Sequence, residues 1–431
     1  MTRAKPSAQP RSASRGPHYR VLHGFTVDMS VQFIRGQAEW FAPHQIELEV
    51  VSTDGPFLAN ARTSEGITTH AVTMSRRISP VADLFALLKL IRMLRSAHFD
   101  ATHAHTPKAG LLLTLAAWIC RIPVRIYHVH GVPWRSRTGL AGVLLRWSEW
   151  VACHASTQVL CVSHSVARAL VDHRMCRAAD CDVPAGGSSN GVDALERFVP
   201  LSTRPEAADA ARAVRQQHGI PDGSLVVGFI GRLAQDKGIR ELASAWAEVR
   251  AEMPDAHLLI VGPEDAADPV PEATLRQLRA DASVHVHGVD WNAPPLLHAM
   301  DLVVLPTYRE GFPNVLLEAA ASGLAVVATT VDGCVDAVSH GITGTLVPPR
   351  DPHALAEAML TYLKNPALRA AHGASARAHV LEHFSKPAVW AALLSAYRGA
   401  MTAAGQRRPD QNPAAAADTP NSSLGAGRRA A

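Results

Sequence analysis

The chain has 431 residues, 47% of them hydrophobic and 19% charged, with a formal net charge of +4. That length exceeds one ordinary core and predicts two domains, and the composition excludes a disordered or fibrous chain. The charge is too slight and too dispersed for a nucleic-acid binder, which carries a dense basic stripe.

The basic residues gather in two places. The first twenty residues hold Arg3, Lys5, Arg11, Arg15 and Arg20 with no acid, and the stretch 134–146 holds Arg135, Arg137 and Arg146. This distribution suits peripheral contact with an anionic membrane. Six cysteines, Cys120, Cys153, Cys161, Cys176, Cys181 and Cys334, form no Cys-x-x-Cys pair. They indicate neither a zinc knuckle nor a redox motif and read as free thiols in a reducing compartment. The basic N-terminus is followed by Pro, Ser and Gly, so it is not a secretory signal. Ala109–Cys120 is too short to span a bilayer, and Gly139–Leu160 is interrupted by Arg146, Glu149 and His154. A cytoplasmic protein, peripheral on the inner face of the membrane, is expected.

Residues 1–17 are rich in Pro, Ser and Arg, and 404–431 in Ala, Pro, Asn, Ser and Gly; both are expected to be disordered. Between them, β-branched runs alternate with helical patterns. Val21–Val27, Ile46–Ser52, Ala101–Ala104, Val124–Val129 and Gln158–Val162 read as strands. Ser79-Pro80 opens a helix, with Val81, Leu84, Phe85, Leu88, Ile91 and Leu94 at helical spacing. A second strand series runs through Leu225–Ile230, His257–Val261, Val284–Val286, Leu302–Leu305 and Ala325–Ala328. This alternation predicts two parallel-sheet α/β domains, 18–195 and 206–384. The linker lies in Asn190–Pro205, centred on 196–205, and a last helix, 385–403, packs back across the first domain. In such folds ligands bind where strands end, which places the site in the cleft between domains.

Two loops after strands carry the chemistry. Gly231-Arg232-Leu233-Ala234-Gln235-Asp236-Lys237-Gly238 offers a glycine for close approach and two cations for one anionic group, a diphosphate above all. A plain turn with two solvated cations is the alternative. No Walker A loop and no G-x-G-x-x-G is present. The second loop, Pro306–Glu318, places Glu310 before Gly311 and Glu318 on a helix that starts near Asn314. Two carboxylates from loop and helix can face one pocket and bind sugar or ribose hydroxyls, and the peptide N–H groups of Asn314–Leu316 can hold phosphate.

The pattern Glu310-x7-Glu318, with EGFPNVLLEA around it, resembles the retaining glycosyltransferases of family four, which have the GT-B fold. The segments VVGFIGRLAQDKGIRELASAW, HLLIVGP, SSNGVDALERF, GITGTLVPPRDP, HAHTPKAGLL and YHVHGVPW extend the resemblance over roughly residues 20–400. The last two are similar to the subgroup that builds capsular polysaccharide, O-antigen or other lipid-linked glycans.

The resemblance implies two Rossmann-like domains facing a cleft, a nucleotide-sugar donor (a UDP-sugar), a polyprenyl-diphosphate-linked glycan acceptor, and chemistry without a metal or other cofactor. It implies that Arg232 and Lys237 neutralise the donor diphosphate, that Glu318 holds the ribose and that Glu310 lies near the sugar ring. Backbone groups of Gly231, Gly311, Phe312, Asn314, Val315 and Leu316 line the sugar and phosphates, and His130 contacts the donor sugar. His103/His105 and His128/His130 form two H-x-H pairs, each with both rings on one strand face. They leave a zinc reading open, but no acid or Cys pair joins them. Lys108 and His105 are candidates for acceptor phosphate. Family members often carry Gly-Gly after the first strand. Here His23–Ser30 has one glycine, and Ser30 is the acceptor-side candidate. The readings that remain beside transfer are a nucleotide-sugar epimerase of the same fold and a non-catalytic sugar-nucleotide-binding subunit.

Overall fold

The structure, a computed structural model, describes residues 18–75 and 79–407. Among the described residues the strands form two all-parallel sheets. The first has the order β3-β2-β1-β4-β5-β6-β7, from β1 (Tyr19–Gly24), β2 (Ile46–Ser52), β3 (Thr68–Ala71), β4 (Ala101–His105), β5 (Val124–Val129), β6 (Gln158–Cys161) and β7 (Cys181–Asp182). The second has the order β10-β9-β8-β11-β12-β13, from β8 (Val226–Ile230), β9 (His257–Val261), β10 (Val284–Gly288), β11 (Leu302–Leu305), β12 (Ala325–Thr329) and β13 (Thr345–Val347). Both orders reverse beside the first strand of their domain, the switch point at which open sheets bind ligands. These are the two parallel-sheet domains that the strand–helix alternation predicts, in the GT-B arrangement that the resemblance implies.

Central strands are apolar on both faces because helices cover both, as Leu302–Leu305 and Ala325–Thr329 illustrate by complete burial. The edge strands β3, β7 and β13 were not anticipated. They are short, and β3 (Thr-Thr-His-Ala) lacks an apolar run. The helix Pro80–Ser96 forms where Ser79-Pro80 predicts it, but a different face is buried. Ala86, Leu90 and Leu94 reach the core, while Val81, Leu84, Phe85 and Leu88 lie in solvent.

The chain crosses between domains twice, and the two crossings pair. The Val192 N–H donates to Phe384 O at 2.8 Å and the Lys386 N–H to Val192 O at 3.0 Å. Gly191 lies between them at φ +64°, where an added Cβ would sit 2.9 Å from Lys386 N and Phe384 O. After the second crossing, the helix Lys386–Arg407 lays Val389, Trp390, Leu393, Leu394, Tyr397 and Met401 onto the first sheet. It runs past residue 403, correcting the expectation that disorder begins at 404, because Ala400 and Ala404 still pack on that core. The expectations for residues 1–17 and 408–431 lie outside the described residues.

The thiols are free, but not scattered in space. Cys161 and Cys181, on neighbouring strands, bring their Sγ atoms to 3.5 Å.

Candidate active site in the interdomain cleft

A cavity of about 740 Å³ opens between the domains. From the first domain it is lined by Thr106, His130, Gly131 and Arg135, and from the second by Arg232, Asp236, Lys237, Tyr308, Arg309, Glu310, Gly311 and Arg350, among others. Each arises from a loop after a strand: β4 for Thr106, β5 for His130, β8 for Arg232 and Lys237, β11 for Glu310. Four residues singled out in the sequence, His130, Arg232, Lys237 and Glu310, therefore share one cavity with Gly311.

The cations are held by acids. Lys237 pairs with Glu310, each side chain only 15% exposed. Arg232 pairs with Asp265 and lies 3.8 Å from Asp236, which also receives Arg309 Nη2 at 2.8 Å. Such a network keeps cations half-buried without a ligand and offers them to an anion that can compete. Gly238 shapes the loop: at φ +71° its missing Cβ would lie 2.0 Å from Pro306 O, so only glycine lets the loops after β8 and β11 meet.

The loop Glu310–Pro313 leads into the helix Asn314–Ala321, which carries Glu318 and buries Leu316 and Leu317. Glu318 does not line the enclosed cavity. It is partly buried on this helix, and loss of hydration pushes its carboxyl up to about 7, opposed by Arg197. Gly311 packs backbone to backbone against the first domain, where a Cβ would fall 1.9 Å from His130 O. The Phe312 side chain packs against the cores of both domains, with its ring 5.2 Å from Phe384. It thus acts as an interdomain wedge.

Of the acceptor-side candidates, Ser30 is buried on the turn Asp28–Ile34 and His105 is buried behind His130. Lys108 has Nζ 2.8 and 2.6 Å from the two Asp83 oxygens. None of the three lines the cavity. Arg135, Tyr308, Arg309 and Arg350 line it without having been singled out for this role. Arg350 lies in the segment GITGTLVPPRDP, where no spacing to another charged residue marks it; its guanidinium sits 4.2 Å over the Tyr308 ring.

Behind His130 the H-x-H pairs meet a third strand. β1, β4 and β5 align His23 with His103 and His105 with His128, all on the face under the helix Lys386–Arg407. All five histidines here are kept neutral, first by burial: His23 down to about 3, His130 to about 4, and His103, His105 and His128 well below the usual range.

Two doubly wound parallel-sheet domains that face one cleft are the GT-B architecture. Residues 31–186 match glycosyltransferase family 4 and residues 224–365 match glycosyl transferases group 1. The chain is 29% identical over 378 residues to the capsular polysaccharide biosynthesis glycosyltransferase CapM of Staphylococcus aureus, covering 88% of this chain and 96% of that one. It is 31% identical over 333 residues to the glycogen synthase of Mycobacterium tuberculosis, covering 75% and 73%. It is 26% identical over 284 residues to the UDP-Gal:alpha-D-GlcNAc-diphosphoundecaprenol alpha-1,3-galactosyltransferase of Escherichia coli, covering 65% and 70%. The crystal structure of Anabaena HepE in complex with UDP-glucose superposes with a TM-score of 0.72 at 22% identity, over 88% of this chain and all of that one. The chain belongs to glycosyltransferase family 4, and it is an enzyme of the GT-B type.

Proposed function

We propose that the chain moves a glycosyl group, with retention of configuration, from a UDP-sugar to a lipid-diphosphate-linked acceptor at a membrane surface. The observation that carries this reading is the meeting of Arg232, Lys237, Glu310 and His130 around one cleft cavity. Arg232 and Lys237 take the diphosphate and the charge that grows on it as the glycosidic bond breaks. They are permanent cations, so the scheme needs no metal. Glu318 accepts from the ribose hydroxyls, and His130 contacts the sugar. Glu310 is engaged by Lys237, which suits a group that orients cation and sugar rather than a free nucleophile. Retention then follows from front-side attack. The bond from the anomeric carbon to phosphate breaks, the bond to the acceptor oxygen forms on the same face, and the acceptor proton passes to the departing phosphate oxygen. The UDP-Gal and diphosphoundecaprenol named for the Escherichia coli relative, and the UDP-glucose of the HepE complex, support the donor and acceptor classes.

The membrane part rests on an apolar face of the first domain. The helices Pro80–Ser96 and Gly139–Ala155 flank and pack on Pro107–Ile119. They expose Leu84, Phe85 (63%), Leu88, Val143, Trp147 (60%) and Trp150, beside the exposed Lys89, Arg92, Arg137 and Arg146. Apolar and aromatic groups rimmed by cations are the composition of a surface that lies in an anionic bilayer interface. Among the described residues no helix is long and apolar enough to cross a membrane.

The test is nucleotide release from a panel of UDP- and GDP-sugars, with and without polyprenyl-diphosphate glycan in anionic vesicles. Release that needs both a UDP-sugar and the lipid acceptor is expected. A new sugar nucleotide formed without acceptor would mark an epimerase and overturn the transfer reading. Phe85→Ser with Trp147→Ser is expected to abolish co-sedimentation with the vesicles, and unchanged sedimentation would remove the membrane face.

A further inference from the structure

The five histidines and Tyr397 form one unbroken chain of short contacts. His130 Nε2 lies 3.0 Å from His105 Nδ1, and His105 Nε2 lies 3.0 Å from His23 Nδ1. His23 Nε2 lies 3.1 Å from the Tyr397 hydroxyl, which lies 2.6 Å from His103 Nδ1. His103 Nε2 ends the chain 3.2 Å from His128 Nδ1, and His128 Nε2 is buried with no partner among the described residues.

A neutral imidazole has one N–H and one bare nitrogen, and a phenol has one O–H. The three inner imidazoles each use both nitrogens and so pass a direction on unchanged; only the Tyr397 hydroxyl can break it, by accepting from both sides. Three orderings satisfy all five contacts. One has Tyr397 accept twice and strands its own hydrogen in the core, and the other two keep one direction throughout. In one, every hydrogen points from His130 toward His128, and the orphaned His128 Nε2 carries a buried N–H with no acceptor. In the other, every hydrogen points from His128 toward His130, and His128 Nε2 is merely an unfilled lone pair. Buried donors without acceptors are the rarer and costlier defect, so the last ordering prevails. It runs His128, His103, Tyr397, His23, His105, each donating to the next, and ends with His105 donating to His130 Nε2. His130 must then carry its hydrogen on Nδ1, the ring nitrogen that the chain leaves to the cavity. Its ring is further held by stacking on Phe33 at 5.0 Å.

We propose that His105 is a positioning residue which, backed by the chain through His23 and Tyr397, donates to His130 Nε2 and holds His130 as the Nδ1–H tautomer, so that the cleft presents a hydrogen-bond donor to an oxygen of the donor sugar. This rests on the reading of His130 as a sugar contact. Tyr397, on the helix Lys386–Arg407, lengthens that chain. Chains of hydrogen bonds also polarise one another, which strengthens the terminal donor.

A metal ion is the competing use of these rings. His105, His128 and His130 bring ligand atoms within 4.8 Å of one another, as do His23, His103 and His105. Neither group holds a carboxylate to offset the ion's charge. Coordination by the first group would demand N–H on both His105 Nε2 and His128 Nδ1. Both ends would then donate inward, Tyr397 would accept twice, and its own hydrogen would be stranded in the core. The second group would take ring nitrogens that are all already engaged in the chain.

The test uses the full-length protein labelled with 15N-histidine, read by long-range 1H–15N correlation. His130 is assigned by its absence in His130→Gln. The native protein is expected to show His130 as the Nδ1–H form. His105→Phe removes the donor to His130 Nε2, and is expected to give a mixture of both His130 tautomers and about a tenfold slower transfer, roughly the effect of one hydrogen bond. Tyr397→Phe keeps the packed ring and leaves His23 Nε2 as the bare end of a shorter chain, so His130 is expected to stay in the Nδ1–H form. An unchanged His130 tautomer in folded His105→Phe, or a turn to Nε2–H in Tyr397→Phe, overturns the proposal, as does a stoichiometric transition metal in the native protein by elemental analysis. If His130→Gln transfers normally while the tautomer still shifts in His105→Phe, the relay stands and only the sugar contact falls.

Discussion

Lys237 and Glu310 form a half-buried pair in which each stabilises the other's charge. Lys237→Ala removes a cation from the diphosphate and leaves Glu310 unpaired beside it. Transfer is expected to fall by about 100-fold or more, read as kcat/KM for the donor. Glu310→Gln leaves the cation in place, and its loss is expected mainly in kcat, with nucleotide affinity within about threefold. Equal losses in both would remove Glu310 from the neighbourhood of the sugar.

Glu318 gives a prediction with a sign. Its carboxyl titrates near 7 in the folded chain, against 4.5 when hydrated, so the folded state holds the extra proton between those values. Stability therefore falls as pH rises through that window, on the order of 2 kcal/mol after allowance for its partial exposure. In the role proposed for Glu318, the ionised form is the stronger acceptor for ribose hydroxyls. UDP affinity is accordingly expected to rise from pH 6 to pH 8, and Glu318→Gln to flatten that dependence in titration calorimetry while raising the melting temperature at pH 8.

These acids and cations were legible in the sequence because each pair sits within one short segment, Arg232 and Lys237 in a loop and Glu310 and Glu318 across a loop and the helix after it, at a spacing that the chain alone carries. The histidine chain was legible only as two H-x-H fragments. Its continuity needs β1 beside β4 and a tyrosine 294 residues after His103, which no local spacing records.

At the scale of elements, the helix Lys386–Arg407 is not an appendage. It covers Val21, Ile46, Leu48, Ala101, Val124, Ile126 and Leu160 of the first sheet. Leu393, 2% exposed, lies in the middle of that contact. Leu393→Ala is expected to lower stability by about 2–4 kcal/mol in urea unfolding. The neutral histidines beneath the helix, His23, His103, His105 and His128, make that contact acid-sensitive. Their folded pKa values lie below 6.5, so the stabilisation they allow is complete above that pH and is lost as pH falls below it. A steep drop in melting temperature between pH 6.5 and 4.5 is expected, with a shallower slope in His23→Phe. Interior strands could be read from their apolar runs, and this helix from its spacing. The buried face of Pro80–Ser96 could not. Its apolar residues make two stripes, and which stripe meets the core depends on where Pro107–Ile119 lies. The exposed stripe then becomes available to a bilayer.

At the scale of the whole molecule, the cleft is held at both rims by side chains that cross it. Arg135 pairs with Asp332. Ser165, at the start of the helix His164–Asp172, meets Asp336: its N–H lies 3.2 Å from Oδ1, its hydroxyl donates to Oδ2, and Gly333 N–H donates back to Ser165 Oγ at 2.8 Å. Between these clasps Gly131 and Gly311 let backbone meet backbone, with Gly311 positioned where a Cβ would strike His130 O. The arrangement is that of closed domains, joined also by the paired crossings at Val192 and Ser385, by the Phe312 wedge and by the Phe57 ring 6.2 Å from that of Trp291. A donor bound to Arg232 and Lys237 on one side and to His130 on the other would favour this state by binding both walls, while the clasps contribute to it without a ligand. Asp336→Ala removes the acceptor of Ser165 and leaves all proposed donor contacts intact. The ligand-free variant is expected to show a larger radius of gyration by small-angle scattering. UDP should restore the native value, with donor KM raised several-fold and kcat nearly unchanged, since part of the binding energy must now close the cleft. Native scattering together with a raised KM would mean that Asp336 acts on the donor directly, and the clasp would lose its role in closure.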